Sequence, residues 1–259
     1  NVTKTLSSDT LEFESAFGTF SGEAYDNDPL EPTAQLIQWS DVTTLRVWTG
    51  ASNTNWHNAQ NWNPLGIPAG NEDVLINLAS NQPIISADNG AAKNITLNNN
   101  TSLRIENGFD LDINGNLVNG TATLQVISSQ SVINLAGNWS NTGTFYNGQS
   151  LVVLDGQIEQ SISAGGTGAG KAFYNMVVNN PGAILLNSTM DVDRELLINT
   201  GTFGLNGQTL QFGSEVGNTI SVSGTLDMND ASVLQMANAT QLVVNSGGTL
   251  RVVGSDPLN

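Results

Sequence analysis

The sequence predicts an all-β fold: a right-handed parallel β-helix, a three-sided β-solenoid with about 23–24 residues per coil. The first observation behind this is a recurring phrase, Gly201-Thr202-Phe203, Gly224-Thr225-Leu226 and Gly248-Thr249-Leu250, spaced 23 and 24 residues apart. The second is a finer beat in the same region. Leu226, Leu234, Leu242 and Leu250 fall eight apart, each followed two residues later by Met228, Met236, Val244 or Val252. Apolar, outward, apolar is the period of a strand with one buried face, and three such strands fill one period. A unit of this kind buries its apolar side only by stacking on its neighbours. The third observation is negative: no stretch sustains the 3.6-residue period of a helix, which argues against a leucine-rich horseshoe.

Three segments follow in order. Residues 1–44 do not share the repeat and read as an extended acidic arm, with the strand-like alternation Leu11-Glu12-Phe13-Glu14 followed by Phe17 and Phe20. Residues 45–72 concentrate Trp48, Trp56 and Trp62 and read as a capping module, large aromatic area shielding the first coil. Residues 73–259 read as the solenoid, beginning at Asp73-Val74-Leu75-Ile76. At ~4.8 Å per stacked strand this gives roughly eight coils and a rod of roughly 38 Å. Gly143-Thr144-Phe145, 23 residues after Gly120-Thr121, extends the glycine-threonine beat backwards; between Gly143 and Gly201 the spacing is irregular and predicts an inserted loop, with Gly182-Ala183-Ile184 marking the missing coil.

Composition narrows the setting. The 259 residues contain no cysteine, so disulfide and thiolate-metal frameworks are excluded. A formal charge of -16 with only seven Lys plus Arg lacks the cationic footprint that nucleic acid or an anionic membrane surface requires, and it favours divalent cations. No apolar run approaches the ~20 residues of a membrane span. The chain opens at Asn1 without Met or a signal-peptide core, which reads as a mature or excised portion of a larger precursor.

The segment Trp48-Thr49-Gly50, Trp56, Asn61-Trp62, Pro64, Pro68, Asp73-Val74 resembles a module that opens β-helical stretches in very large surface proteins of the Bacteroidetes. Val153-Leu154-Asp155-Gly156, Gln160-Ser161-Ile162-Ser163 and Phe173-Tyr174-Asn175-Met176-Val177-Val178-Asn179-Asn180 are similar to recurrent pieces of the same family in the same order. The resemblance covers residues 45–255 and implies an adhesin or surface-layer protein secreted by the type IX system.

Several constellations invite chemistry. Gly165-Gly166-Thr167-Gly168-Ala169-Gly170-Lys171 has the spacing of a phosphate-binding loop, but Ala172 stands where a magnesium-binding hydroxyl belongs and a strand-like run follows. Without a helix N-terminus the loop has nothing to aim at a phosphate, so it reads as a glycine-rich connection. Asp110-Leu111-Asp112 and Asp191-Val192-Asp193 each place two carboxylates on the outer face of a strand, roughly 7 Å apart; solvated surface, a cation site and glycoside hydrolysis are the readings, in that order. Glu23, Asp26, Asn27, Asp28 and Glu31 supply hard oxygen ligands in one turn-prone segment and form the candidate calcium site, without the spacing of an EF-hand. No other cofactor is indicated. His57, the single histidine, cannot assemble a histidine metal site alone.

These readings point to a noncatalytic extracellular or cell-surface structural or adhesive rod. The rung Leu250-Arg251-Val252-Val253 has no cover in the sequence, and an open rung offers unpaired backbone groups. Either the native chain continues beyond Asn259 or another subunit covers this edge; the second case predicts self-assembly, by end-to-end stacking or by strand addition from the arm, with Leu11, Phe13, Phe17, Phe20, Leu250 and Val252 as assembly residues; surface glycans are a further candidate partner. The alternative is a carbohydrate-active β-helix enzyme, a polysaccharide lyase or glycosidase, or a carbohydrate-binding module built on exposed tryptophans. Ice binding would need a regular Thr-x-Thr ladder, and only Thr121-Ala122-Thr123 offers one.

Overall fold

The computed structural model describes residues 44–253 apart from positions 214, 216, 230 and 238. They form a parallel β-solenoid with three sides. Side A is an eleven-stranded sheet. Its parallel rungs are Leu45–Trp48, Asp73–Ile76, Ile95–Leu97, Leu117–Asn119, Trp139–Asn141, Gln160–Ser163, Ala183–Leu186, Thr202–Gly204, Thr225–Met228 and Thr249–Val252, and Trp62–Asn63 adds an antiparallel strand at its start. Side B holds four strands, Ile84–Ile85, Ser102–Ile105, Thr123–Val126 and Thr144–Tyr146. Side C starts with Gly90–Ala92, Leu111–Ile113, Val132–Leu135, Leu151–Leu154 and Phe173–Val178, and reaches the nine-residue strand Met190–Ile198.

At Met190–Ile198 the sheet forks. Residues 190–192 pair with Thr209–Phe212 and then Val233–Met236, while residues 195–198 pair with Thr219–Val222 and then Gln241–Val244. In chain order these branches take the places of sides B and C, so the last coils are three-sided again. The eight-residue beat is the trace of this geometry. Leu226 lies on side A, Leu234 pairs with Leu210 on one branch, Leu242 pairs with Ile220 on the other, and Leu250 returns over Leu226.

The alternation expected from the sequence holds along the rungs, where inward residues such as Leu97, Leu124, Leu135 and Ile184 are buried and their neighbours are not. The register expected for the last coil holds too: Asp227 pairs with Arg251, and the guanidinium lies 2.7 Å from the carboxylate.

Two details differ from the sequence reading. The first rung is Leu45–Trp48, in parallel register with Asp73–Ile76, so the tryptophan segment already contributes a coil. And Gly143-Thr144-Phe145 lies on side B, where Thr144 pairs with Thr123 rather than Thr121, whereas Gly201, Gly224 and Gly248 precede side A. One dipeptide marks two different corners because both have the same steric demand. A Cβ on Gly143 would collide with the carbonyls of Gly120 and Ala122 in the coil beneath, and one on Gly201, which sits at φ +70°, would meet those of Asn180 and Gly182.

The irregular spacing between Gly143 and Gly201 has a different cause from an insertion. Side-A partners there remain 23 and 24 residues apart, Trp139 to Ile162 and Ile162 to Leu186, and the next step, Ile184 to Phe203, is only 19. Ala183–Leu186 is the rung expected near Gly182. What changes is side B, which stops after Thr144–Tyr146. Trp139, Phe145 and Phe173 fill the interior at this point, with ring centroids 4.9–5.6 Å apart.

Asparagines hold the corners. Asn94, Asn116 and Asn138 stack one coil apart, the side-chain oxygen of each accepting from a backbone N–H in the coil above at 2.6–2.8 Å, the last from Ser161. Inside the core Asn119 donates to Asn141 at 2.8 Å and Asn141 donates to the Ala164 carbonyl at 3.3 Å. Such ladders satisfy polar groups that burial would otherwise strand.

Candidate functional site

The break in side B is also where the chain's chemistry collects. Where a further side-B strand would follow Gln160–Ser163, the chain runs through the glycine-rich segment, and the Gly170 carbonyl accepts from the Phe145 N–H at 2.7 Å. Gly165, Gly166 and Gly170 take positive φ, which lets the backbone fold back over itself instead of pairing as a rung. Beside it lies an open cleft of about 340 Å³, bordered by Tyr146, Asn147, Gly168, Gly170, Asp191 and Asp193.

Each wall has a local reason. Tyr146 follows the buried Phe145 on the last side-B strand, so alternation turns it outward, and it is 53% exposed. Asp191 and Asp193 flank the buried Val192 on Met190–Ile198 and therefore share the outer side. The Asn147 amide donates to Asp193 at 3.4 Å and to the Ala172 carbonyl at 3.1 Å, tying strand, loop and acid pair together. Burial, followed by the charge of Asp193, pushes the Asp191 carboxyl up to about 6, with a hydrogen bond from the Val192 backbone partly opposing the rise.

The phosphate-loop reading ends here on geometry. The Lys171 ammonium donates to the Gly143 carbonyl, and the segment leads into the strand Phe173–Val178. The other acid pair is dispersed: Asp110 accepts from the Val132 N–H at 2.8 Å and acts as a turn support, while Asp112 is exposed. Asp112 and burial together raise the Asp155 carboxyl, burial being the larger cause.

The tryptophan module is a cap. Trp48, Trp56 and Trp62 are wholly buried and meet edge to face, Trp62 against Trp48 at 4.9 Å and against Trp56 at 4.8 Å. The Trp48 and Trp62 indole N–H groups donate to the Asn81 and Trp56 carbonyls. Buried Asn61 accepts from the N–H groups of Ser52 and Asn53, and Arg46 pairs with Glu72 at 2.7 Å. These three rings are therefore closed to a sugar face. His57 bonds the Asn89 carbonyl at 3.0 Å.

Glu23, Asp26, Asn27, Asp28 and Glu31 of the candidate calcium site, and Leu11, Phe13, Phe17 and Phe20 of the assembly set, lie outside the described residues. Leu250 and Val252 lie on the last described rung, both exposed. Among the described residues no group of three or more His, Asp or Glu side chains could hold a metal ion, and no helix is long and apolar enough to cross a membrane.

Sequence reasoning named Asp191, Asp193 and the glycine-rich segment but kept them apart, and it missed Tyr146 and Asn147. Nothing local marks those two; they matter because side B ends on them. The asparagine ladders did leave a signal, the exact 22-residue spacing of Asn94, Asn116 and Asn138 and of Asn119 and Asn141.

Residues 47–155 match a family model described as a domain of unknown function (DUF8693). That stretch takes in the tryptophan cap, the first coils and the Tyr146 wall of the cleft, and it stops before the glycine-rich segment and the acid pair. No curated protein and no solved structure matches the chain.

Proposed function

We propose that this chain is a noncatalytic structural and adhesive rod of an extracellular or cell-surface assembly, and that its coils join end to end with those of another copy. The observation that carries this reading is the last rung. Leu226 is 0% exposed, whereas Leu250, its equivalent one coil later, is 39% exposed and Val252 is 68% exposed. A rung with exposed apolar side chains gains most from another strand laid over it. The occupant is a second copy, contributing its N-terminal region. The alternation Leu11-Glu12-Phe13 with Phe17 and Phe20 supplies strand and anchors, and Glu23 to Glu31 supplies carboxylates for calcium at the junction. The resemblance of the tryptophan module to Bacteroidetes surface proteins supports a secreted setting.

Sedimentation and negative-stain microscopy of the full chain, across concentration and with or without calcium chloride, test the reading. Concentration-dependent linear oligomers are expected, lost in Leu250→Asp and Val252→Asp and on deletion of residues 1–22 while the β circular-dichroism signal persists. A monomer under every condition, or oligomers unchanged by all three alterations, overturns it.

A further inference from the structure

We propose that the cleft at the break in side B binds a neutral or amino-bearing saccharide, and so gives the rod a lateral glycan-binding site distinct from its ends. An uninterrupted parallel side would present flat rungs with no concavity. Here the glycine-rich segment replaces a strand, and the replacement leaves an open cleft of about 340 Å³, room for a sugar unit or two. Its groups suit a polyol. Tyr146 offers an exposed ring with a hydroxyl at its tip. The two carboxylates on the outer side of Met190–Ile198 are acceptors for vicinal hydroxyls, and bonds of that kind to an ionised acceptor are short and strong. The walls are held in place, because the Asn147 amide donates to the Ala172 carbonyl and to Asp193, and the Gly170 carbonyl accepts from the Phe145 N–H.

The same groups exclude competing ligands. Among the described residues no lysine or arginine borders the cleft, Lys171 is turned onto the Gly143 carbonyl, and the guanidinium of Arg194 lies 5.9 Å from the Tyr174 ring. An anionic uronate or sulfated glycan would be opposed by the charge of the two carboxylates. An extended peptide adding to the last side-B strand would need the Phe145 N–H, which Gly170 already occupies. The half-buried position of Asp191 and its raised proton affinity fit a group whose solvation a bound sugar would complete.

Titration calorimetry of the full chain against cellotetraose, tetraglucosamine and tetragalacturonate tests the proposal. It is independent of end-to-end assembly, so Leu250→Asp serves as a monomeric background and failure of one reading leaves the other standing. One-to-one binding of cellotetraose or tetraglucosamine is expected, with affinity at least tenfold weaker in Tyr146→Ala and in Asp193→Asn at unchanged melting temperature, and no binding of tetragalacturonate. If neither neutral nor amino sugar binds, or if both variants bind like the native chain, the proposal is wrong. Calcium chloride alone binding in a manner lost in Asp191→Asn, with no sugar bound, overturns it in favour of a cation site.

Discussion

The first and the last described rungs meet the same need differently. Both belong to side A and both have an edge to cover. At Leu45–Trp48 the chain supplies it, through the antiparallel strand Trp62–Asn63 and three buried indoles. At Thr249–Val252 burial fades strand by strand. Leu226 is closed, Leu234 and Leu242 are partly buried against the core, and all four residues of the last rung are exposed. Repeat sequence alone does not bury a rung, because each coil owes its burial to the next.

The largest expected effect breaks the closed end. Trp62→Ala removes a ring packed against two others and should lower stability by about 3–5 kcal/mol, whereas Leu250→Ala should cost only about 1 kcal/mol in the unassembled chain, since that side chain is 39% exposed. Chemical denaturation of both variants at low protein concentration makes the comparison. Equal losses would mean that the last coil is as closed as the first.

A second contrast concerns asparagine. Asn141 is buried and links Asn119 to Ala164, while Asn245 makes an exposed contact with Ser221 and Ser223. Asn141→Ala should cost about 1–3 kcal/mol, because the Ala164 carbonyl loses its donor inside the core; Asn245→Ala should cost ~0.5 kcal/mol or less. Denaturation midpoints that shift alike for both would show that the buried ladder contributes no more than a surface one.

How much of this was legible follows from range. The fold was legible because stacking imposes a period on the chain: Leu226 and Leu250 are neighbours in space for the same reason that they are 24 apart in sequence. The cap was legible as an aromatic cluster, though its first strand was not seen as a rung, since Leu45–Trp48 lies 28 residues before its partner and outside the common period. The cleft was legible only in pieces. Tyr146 and Asp191 stand 45 residues apart and meet because side B fails between them, an event with no local signature beyond the glycines.

The middle of the rod, neither capped nor open, gives a pH test. The Asp191 carboxyl lies near 3.8 in the unfolded chain and about 6 in the folded one, so the folded state binds the extra proton between those values. Stability from this group is therefore fully present below about pH 4 and is lost as pH rises through about 6. With half of the group facing water, solvent screening reduces the loss to about 1 kcal/mol. Asp191→Asn should flatten stability between pH 4 and 7 and be the more stable chain at pH 7. Superimposable pH profiles for native and variant would show that burial and Asp193 do not raise this carboxyl.

The smallest effect lies in the last coil and sharpens the comparison of ends most directly. Arg251 and Asp227 face each other across the final rung at 2.7 Å, with the arginine side chain 58% exposed. In the unassembled chain their coupling, from a double-mutant cycle with alanine at each position, should be about 0.2–1 kcal/mol and should shrink in 1 M salt, because the arginine remains mostly in water, where salt screens its charge. Placing a second copy over Thr249–Val252 withdraws that pair from solvent, and a pair less exposed is screened less. The same cycle measured on assembled material should then give a larger coupling with a weaker salt dependence. A coupling that is identical in the two states would mean that the final rung stays open to water after association, and that whatever joins the copies does so elsewhere.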